Sequence, residues 1–416
     1  MRNTRPRLTP AIADVRRAVR GALADFGATP TPAPVENSGM SALNAAYRPA
    51  GGALLTETPE FSTGRLVLVA LSGGPDSLAL AAATAFEAPR AGLRVGAVIV
   101  DHGLQEGSTD VAAAAAHQAR ELGLDPVIVV GVEVGTDGGP EAAARDARYG
   151  ALVGALRETG AAAILLGHTL DDQAETVLLG LARGSGAGSL HGMAHVAQAP
   201  VAIAPSATAS ATASATVPAT ASAEIRHTGV PKRSEAPFAG IRTGGGVILR
   251  PLLGIRRAKT VQFCADSGLT PWADPHNFDP AFTRVRVREI VLPLLEAELG
   301  PGIAEALART ADQLREDESA LDHFAEELVA DLAEHAEAGI ALAVRGLATN
   351  PPALRQRIIR LAVSAEFDVA LSRSQTLEVA RLVTDWHGQG PLHLPGIRVE
   401  RRHGLLVFSA AAIGEN

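Results

Sequence analysis

Ser72-Gly73-Gly74-Pro75-Asp76-Ser77 follows the apolar run Leu66–Ala70 and precedes the helix-forming stretch 78–86. Two glycines let successive backbone N–H groups converge on oxygen atoms. Ser72 and Ser77 add hydroxyl donors, and a helix starting here turns its positive end inward. Such a cup suits a pyrophosphate group. Asp76 would repel one unless a cation lies between them, which implies Mg²⁺. An Asx-type turn that merely starts the helix is the bland alternative. Two commoner phosphate loops do not apply: the chain's two lysines, Lys232 and Lys259, lie far from this turn, and the spacing is not GxGxxG.

A second group of residues lies at the ends of later apolar runs. Asp101 and His102 end the run 97–100, where open α/β sheets bind ligands. His102 contacts nucleotide on one reading and caps the strand on the other. In 162–193, a strand ends at Leu166 and a helix starts near Asp171. Asp171 and Glu175 are four apart and share a face, with Asp172 and Thr176 on the adjacent one. Acids favour a first helical turn, which accounts for Asp171 and Asp172 but not for Glu175. No lysine or arginine lies between them. A cation from outside, a metal or a substrate ammonium, is therefore expected to balance them. His168 adjoins the same mouth, placed to hold a phosphate or to move a proton. On 140–156, Arg145, Arg148, Tyr149 and Leu152 share a helix side; either arginine holds a phosphate or pairs with the acids at 141 and 146.

These residues need a scaffold. Apolar runs at 66–70, 94–100, 126–130 and 163–166 alternate with helical stretches at 77–87, 110–122 and 141–158. That order predicts an α/β fold with an open, mostly parallel sheet covered on both faces. Residues 8–26 have helical spacing through Ile12, Val15, Val19 and Leu23. We expect 1–60 to be an N-terminal helix plus loose insertion and 61–295 to be the nucleotide domain. Residues 296–390 should form a mainly helical domain, with helix over about 300–337 and 352–387. Residues 391–416 should form a small hairpin-like β segment. Within the second region, 196–245 is an insertion whose stretch 199–223 holds Ala, Ser, Thr and Pro that bury little area.

With 416 residues and a net charge of −8, the chain carries no bulk cationic field. Locally the balance differs: residues 226–290 hold eleven Arg or Lys against five acids, and 291–337 hold two against thirteen. A basic patch on an acidic protein is thus available. Aromatic residues are 3%, too few for a general base-stacking surface. Cys264 is the only cysteine, which excludes an internal disulfide and Cys-rich metal sites. No apolar run reaches membrane-spanning length, so no membrane partner and a cytoplasmic location are expected.

SGGPDS (72–77), DHGL (101–104), AARDARY (143–149) and GHTLDDQAETVLLGLARGSGAGSLHGM (167–193) together resemble the tRNA(Ile)-lysidine synthetases, within the PP-loop ATP pyrophosphatase superfamily. RPLLGIRR (250–257) and 268–295 continue the likeness, with Val285 and His276 where asparagine and serine are usual. The resemblance implies an adenine nucleotide alpha hydrolase-like topology, ATP and Mg²⁺. It implies ligation of L-lysine to C2 of the first anticodon cytidine of tRNA(Ile) bearing CAU, through an adenylated cytidine, releasing AMP and diphosphate. Ser72, Gly73, Gly74, Pro75, Asp76, Ser77, Asp101 and His102 would bind ATP. Asp171, Asp172 and Glu175 would hold the lysine amine, with Asp76 and Glu175 on the metal. Asp171, Arg148 and His168 would serve the chemistry, Asp171 as base. Arg284, Arg286, Arg288, Arg355 and Arg357 would approach tRNA. As a helix, 283–288 puts Arg284 and Arg288 on one face; as a strand, it aligns all three arginines. A homodimer is a possible arrangement. The alternative is another AMP-forming PP-loop enzyme, such as a tRNA thiolase or an amidotransferase-type ligase.

Overall fold

The computed structural model describes residues 8–28, 64–103, 107–135, 140–184, 186–199, 246–336 and 339–411. The insertion at 200–245 and most of 27–60 lie outside the described residues. The chain divides into two compact units. The first takes the described residues up to Leu179 with 193–199 and 246–308; the second takes 180–192 and 309–411.

In chain order the first unit contains α1 (Pro10–Ala28), β1 (Leu66–Ala70), α2 (Pro75–Glu87), β2 (Arg94–Asp101), α3 (Ser108–Glu121), β3 (Val127–Gly131), α4 (Pro140–Thr159), β4 (Ala163–Leu165) and α5 (Leu170–Ala182). The short α6 (Ala187–Leu190), in the second unit, precedes β5 (Val196–Gln198), β6 (Val247–Leu249), α7 (Arg257–Ser267), α8 (Thr283–Arg286), a π-turn at Val287–Val291, and α9 (Leu292–Leu299). The sheet order is β3-β2-β1-β4-β6-β5, parallel except for the edge strand β5. Strand order reverses between β1 and β4, so their carboxyl ends open a crevice.

Period-two alternation assigns each face of this sheet. Val67, Val69, Leu71 and Ile99 bury themselves with α1, α2 and α7, while Leu68, Ala70, Val98 and Ile164 pack with α4. The near-continuous apolar run of β1 is what a strand covered on both sides requires. α1 buries Ile12, Val15, Val19 and Leu23, as its spacing predicts. Its other contacts are ionic. Arg16 Nε lies 2.7 Å and Arg20 Nε 2.9 Å from the carboxylate of Glu87, which is buried at the end of α2. Burial opposes the charge of Glu87, but the two arginines outweigh it and hold the carboxyl below its ordinary range.

α10 (Ile303–Leu332) starts in the first unit and continues in the second. Then follow β7 (Ala333–Ala336), β8 (Gly339–Ala343), α11 (Val344–Thr349), α12 (Pro352–Phe367), α13 (Arg373–Thr384), β9 (Leu392–Leu394), β10 (Ile397–Arg402) and β11 (Leu405–Ala410). The tail is not a lone hairpin. It is an antiparallel sheet of order β7-β8-β11-β10-β9. The helix expected to run to 337 stops at Leu332, because β8 supplies Leu342 opposite Leu406 and so extends the sheet over Ile358, Val363 and Val379.

Candidate active site

The glycine turn sits at the carboxyl end of β1. Gly73 has φ +83°, a conformation that side chains rarely adopt, and its carbonyl accepts the Trp272 N–H at 2.9 Å. Pro75 opens α2 in a position where its missing N–H costs nothing. The Ser77 hydroxyl donates to the Gly74 carbonyl (3.0 Å) and accepts the Ser72 N–H (3.2 Å), closing the turn on itself. Gly167, between β4 and α5, is needed for a different reason. A Cβ there would lie 3.1 Å from the backbone of Asp76 and Ser77. From below, the Cys264 thiol donates to the Pro75 carbonyl at 3.4 Å. Burial pushes that thiol up to about 12, so Cys264 is a packed donor and not a nucleophile.

Beside the turn is a cavity of about 360 Å³, lined by Leu71, Ser72, Ile99, His102, Arg148 and Trp272 among others. Its largely apolar walls and few polar groups have the character of a small-ligand pocket. Asp101 also borders it, but the carboxylate is engaged by the Gly103 N–H (3.0 Å) and the Thr109 hydroxyl (3.1 Å). His102 Nδ1, by contrast, is buried with no partner. Burial and the charge of Arg148 push this imidazole below the usual histidine range, against the pull of Asp101.

The acids form one cluster around Arg257, the first residue of α7. Its Nη2 lies 2.7 Å from Asp172, its Nη1 3.2 Å from Glu175 and its Nε 3.2 Å from Asp76, while its backbone N–H donates to Asp171 at 2.7 Å. Burial works against this guanidinium, and the four carboxylates more than offset it, so its pKa is raised. Arg284 Nε (2.9 Å) and Arg288 Nε (2.8 Å) add to Glu175, whose side chain is 0% exposed. Asp172 also closes a capping box, accepting from the Thr169 N–H and hydroxyl at 2.8 Å each. Burial disfavours its charge, but Arg257, His168, the Thr169 amide and Arg284 win and hold the carboxyl at about 2. His168 goes the other way. Burial, with Arg148, Arg250 and Arg284, pushes it down to about 3 despite Asp172, and its Nδ1 has no partner.

The cation sought from outside is thus supplied from within, by arginines at 257, 284 and 288. With Arg256, whose Nε lies 3.3 Å from Asp171, four buried or half-buried carboxylates meet four guanidiniums in a mutually neutralising set. The segment 283–291 is helical. Arg284 and Arg288 face Glu175, whereas exposed Arg286 donates to the Pro280 and Ala281 carbonyls. The pairing of Asp76 with Glu175 on a metal differs from this arrangement, since Arg257 stands between them and both Glu175 oxygens are bonded. Among the described residues no three His, Cys, Asp or Glu side chains are grouped to hold a metal ion. Asp76 could meet a hard cation only by giving up Arg257 Nε (3.2 Å) and the Thr260 hydroxyl, which hold its two oxygens. It is 21% exposed beside the phosphate turn, and burial raises its pKa against Thr260 and Arg257.

Arg355 and Arg357 lie in the second unit. Arg355 donates to the Leu347 and Asn350 carbonyls at the end of α11, and Arg357 pairs with Glu318 (2.8 Å) and Asp322 on α10. Arg256 and Arg257 carry no assigned role at the sequence level. Their signal was the Arg-Arg pair opening a helix, where cations are unfavourable unless acids face them. Arg250 and Tyr149, close enough for the Arg250 charge to act on the phenol, are also unassigned there.

A glycine phosphate turn at the reversal point of a parallel sheet, with acids at the next strand end, defines a PP-loop protein, and residues 51–206 match the PP-loop domain family. Residues 342–407 match the TilS substrate binding domain. The chain is 60% identical to the tRNA(Ile)-lysidine synthase of Leifsonia xyli subsp. xyli (strain CTCB07) across 83% of its length and 90% of that protein. It is 47% identical to that of Thermobifida fusca (strain YX), over 84% and 94%, and 37% identical to that of Tropheryma whipplei (strain TW08/27), over 97% of each. The chain belongs to the tRNA(Ile)-lysidine synthase family of PP-loop ligases.

Proposed function

We propose that this protein ligates L-lysine to the first anticodon cytidine of tRNA(Ile) bearing CAU, at the expense of ATP. The observation that carries the reading is the acid cluster 171–175 beside the closed phosphate turn. One half handles a diphosphate and the other an amine. In the first step the cytosine O2 attacks the α-phosphorus, the Pα–O–Pβ bond breaks and diphosphate leaves into the Ser72–Ser77 turn. In the second step the lysine ε-nitrogen attacks C2, and the C2–O bond breaks with AMP as the leaving group. The ammonium, with an ordinary pKa near 10.4, must lose a proton as it attacks. Asp171 is the proposed acceptor. Its Oδ1 is held only by Arg256 at 3.3 Å, and Arg256 is shared with Glu296 and Glu305, so this oxygen is the easiest to free.

Asp172 and Glu175 would receive the ammonium when arginines turn from them towards phosphate. Neutral His168 offers Nδ1 as a hydrogen-bonding group to the reacting base, and Arg148 steadies the phosphate. Asp76 would hold Mg²⁺, whose charge would offset that of the departing diphosphate. Arg286 is the most accessible of the three arginines in the 283–291 segment and the best placed for an RNA phosphate. Incubating the protein with ATP, radiolabelled lysine and a CAU-anticodon tRNA(Ile) transcript tests the reading. Label should enter the tRNA with one AMP per lysine, and a transcript with G34 should take none. Label that stays free, or appears with sulfur donors only, would contradict it. No helix among the described residues is long and apolar enough to cross a membrane.

A further inference from the structure

The arginines of the first unit fall into two kinds. Arg256, Arg257, Arg284 and Arg288 each face carboxylates. Arg148 and Arg250 have no carboxylate partner among the described residues. Arg250 is the more telling case. It follows β6 directly and is only 8% exposed. Its Nη1 donates to the Ala194 carbonyl at 2.9 Å, the Tyr149 phenol lies close enough to feel its charge, and its Nε is buried with no partner at all. A buried guanidinium without a counter-ion carries a large desolvation cost, and the unsatisfied N–H adds to it. His168, on which this charge acts, has its own buried Nδ1 unpaired. These two orphaned groups stand at the ends of adjacent parallel strands, β6 and β4, on the side of the sheet covered by α4.

We propose that Arg250, supported by Tyr149 and neighbouring Arg148, is the receptor for the α-carboxylate of the amino acid being ligated. The assignment rests on the lysine-ligase reading above. It explains how the site would tell lysine from a bare diamine: the acids recognise amines, which every polyamine carries, and only a cation free of acids can select a carboxylate. The same guanidinium chemistry would also suit a phosphate of ATP, so the test must separate the two sources.

Three amines do so: lysine, 6-aminohexanoate (carboxylate kept, α-amine absent) and 1,5-diaminopentane (carboxylate absent). Each is offered with ATP and CAU tRNA to the wild-type chain and to Arg250→Met. The variant should lose about ten- to a hundredfold in kcat/KM for lysine and for 6-aminohexanoate, the scale of a charged hydrogen bond. Its use of 1,5-diaminopentane and its KM for ATP should be unchanged. Arg250→Lys, which keeps the charge without the fork, should show the same selective loss to a smaller degree and covers the case in which the methionine variant fails to fold. Equal loss on all three amines would make Arg250 a packing residue. A raised KM for ATP would make it a phosphate holder. Either result, or no change, overturns the assignment alone. If the wild-type chain attaches none of the three, the ligase reading falls and takes this one with it.

Discussion

Glu175 shows most clearly what single residues contribute. It has no exposure and three guanidiniums, so each partner removed leaves charge stranded in a place water cannot reach. Arg257→Ala should cost about 3 kcal/mol of stability, the low end for breaking a buried pair because Arg284 and Arg288 remain. Adding Glu175→Gln should return part of that loss, a coupling that chemical denaturation of the four-member cycle would measure. His168 makes a prediction about pH. Its imidazole titrates near 3 in the fold and near 6.5 when unfolded, so between those values the unfolded chain binds one more proton. Stability should therefore fall as pH drops through that window, by about 1.4 kcal/mol per pH unit. His168→Gln should flatten the slope between pH 6 and pH 4. Spacing alone revealed the acids, and the first-turn rule already accounted for Asp172, which the structure uses as a cap. It did not reveal their partner. Arg257 is 82 residues from Glu175 along the chain, with an insertion between them, and no periodicity links the two.

At the scale of elements, the phosphate turn is held by what surrounds it. Gly167 lets the β4–α5 turn approach to where a Cβ would be 3.1 Å from Asp76 and Ser77. Gly167→Ala should push the two turns apart, destabilising the fold by about 1–3 kcal/mol and raising KM for ATP more than it lowers kcat. α1 works at a distance. Through Arg16 and Arg20 it neutralises Glu87 at the far end of the helix that begins with the turn. The double change Arg16→Ala, Arg20→Ala should lower the melting temperature by stranding the buried Glu87 charge, and Glu87→Gln added to it should recover much of that in a thermal melt. Strands β1 to β4 were legible because their apolar runs have the length and flanking signals of buried parallel strands. α1 was legible from its spacing. β7 and β8 were not. Gly339–Ala343 is short and alanine-rich, and it becomes a strand only because β11 lies ready to pair with it.

Across the whole molecule the logic is division of labour. A Rossmann-like crevice holds the phosphate turn, and charged side chains from α5, α7 and the 283–291 segment neutralise each other. This account makes cytidine, and not lysine, the group activated by ATP. Exchange of radiolabelled diphosphate into ATP tests that claim most directly, since exchange reports which substrate accepts AMP. The account predicts exchange that requires CAU-bearing tRNA(Ile) and proceeds without lysine. Exchange that requires lysine and proceeds without tRNA would contradict it.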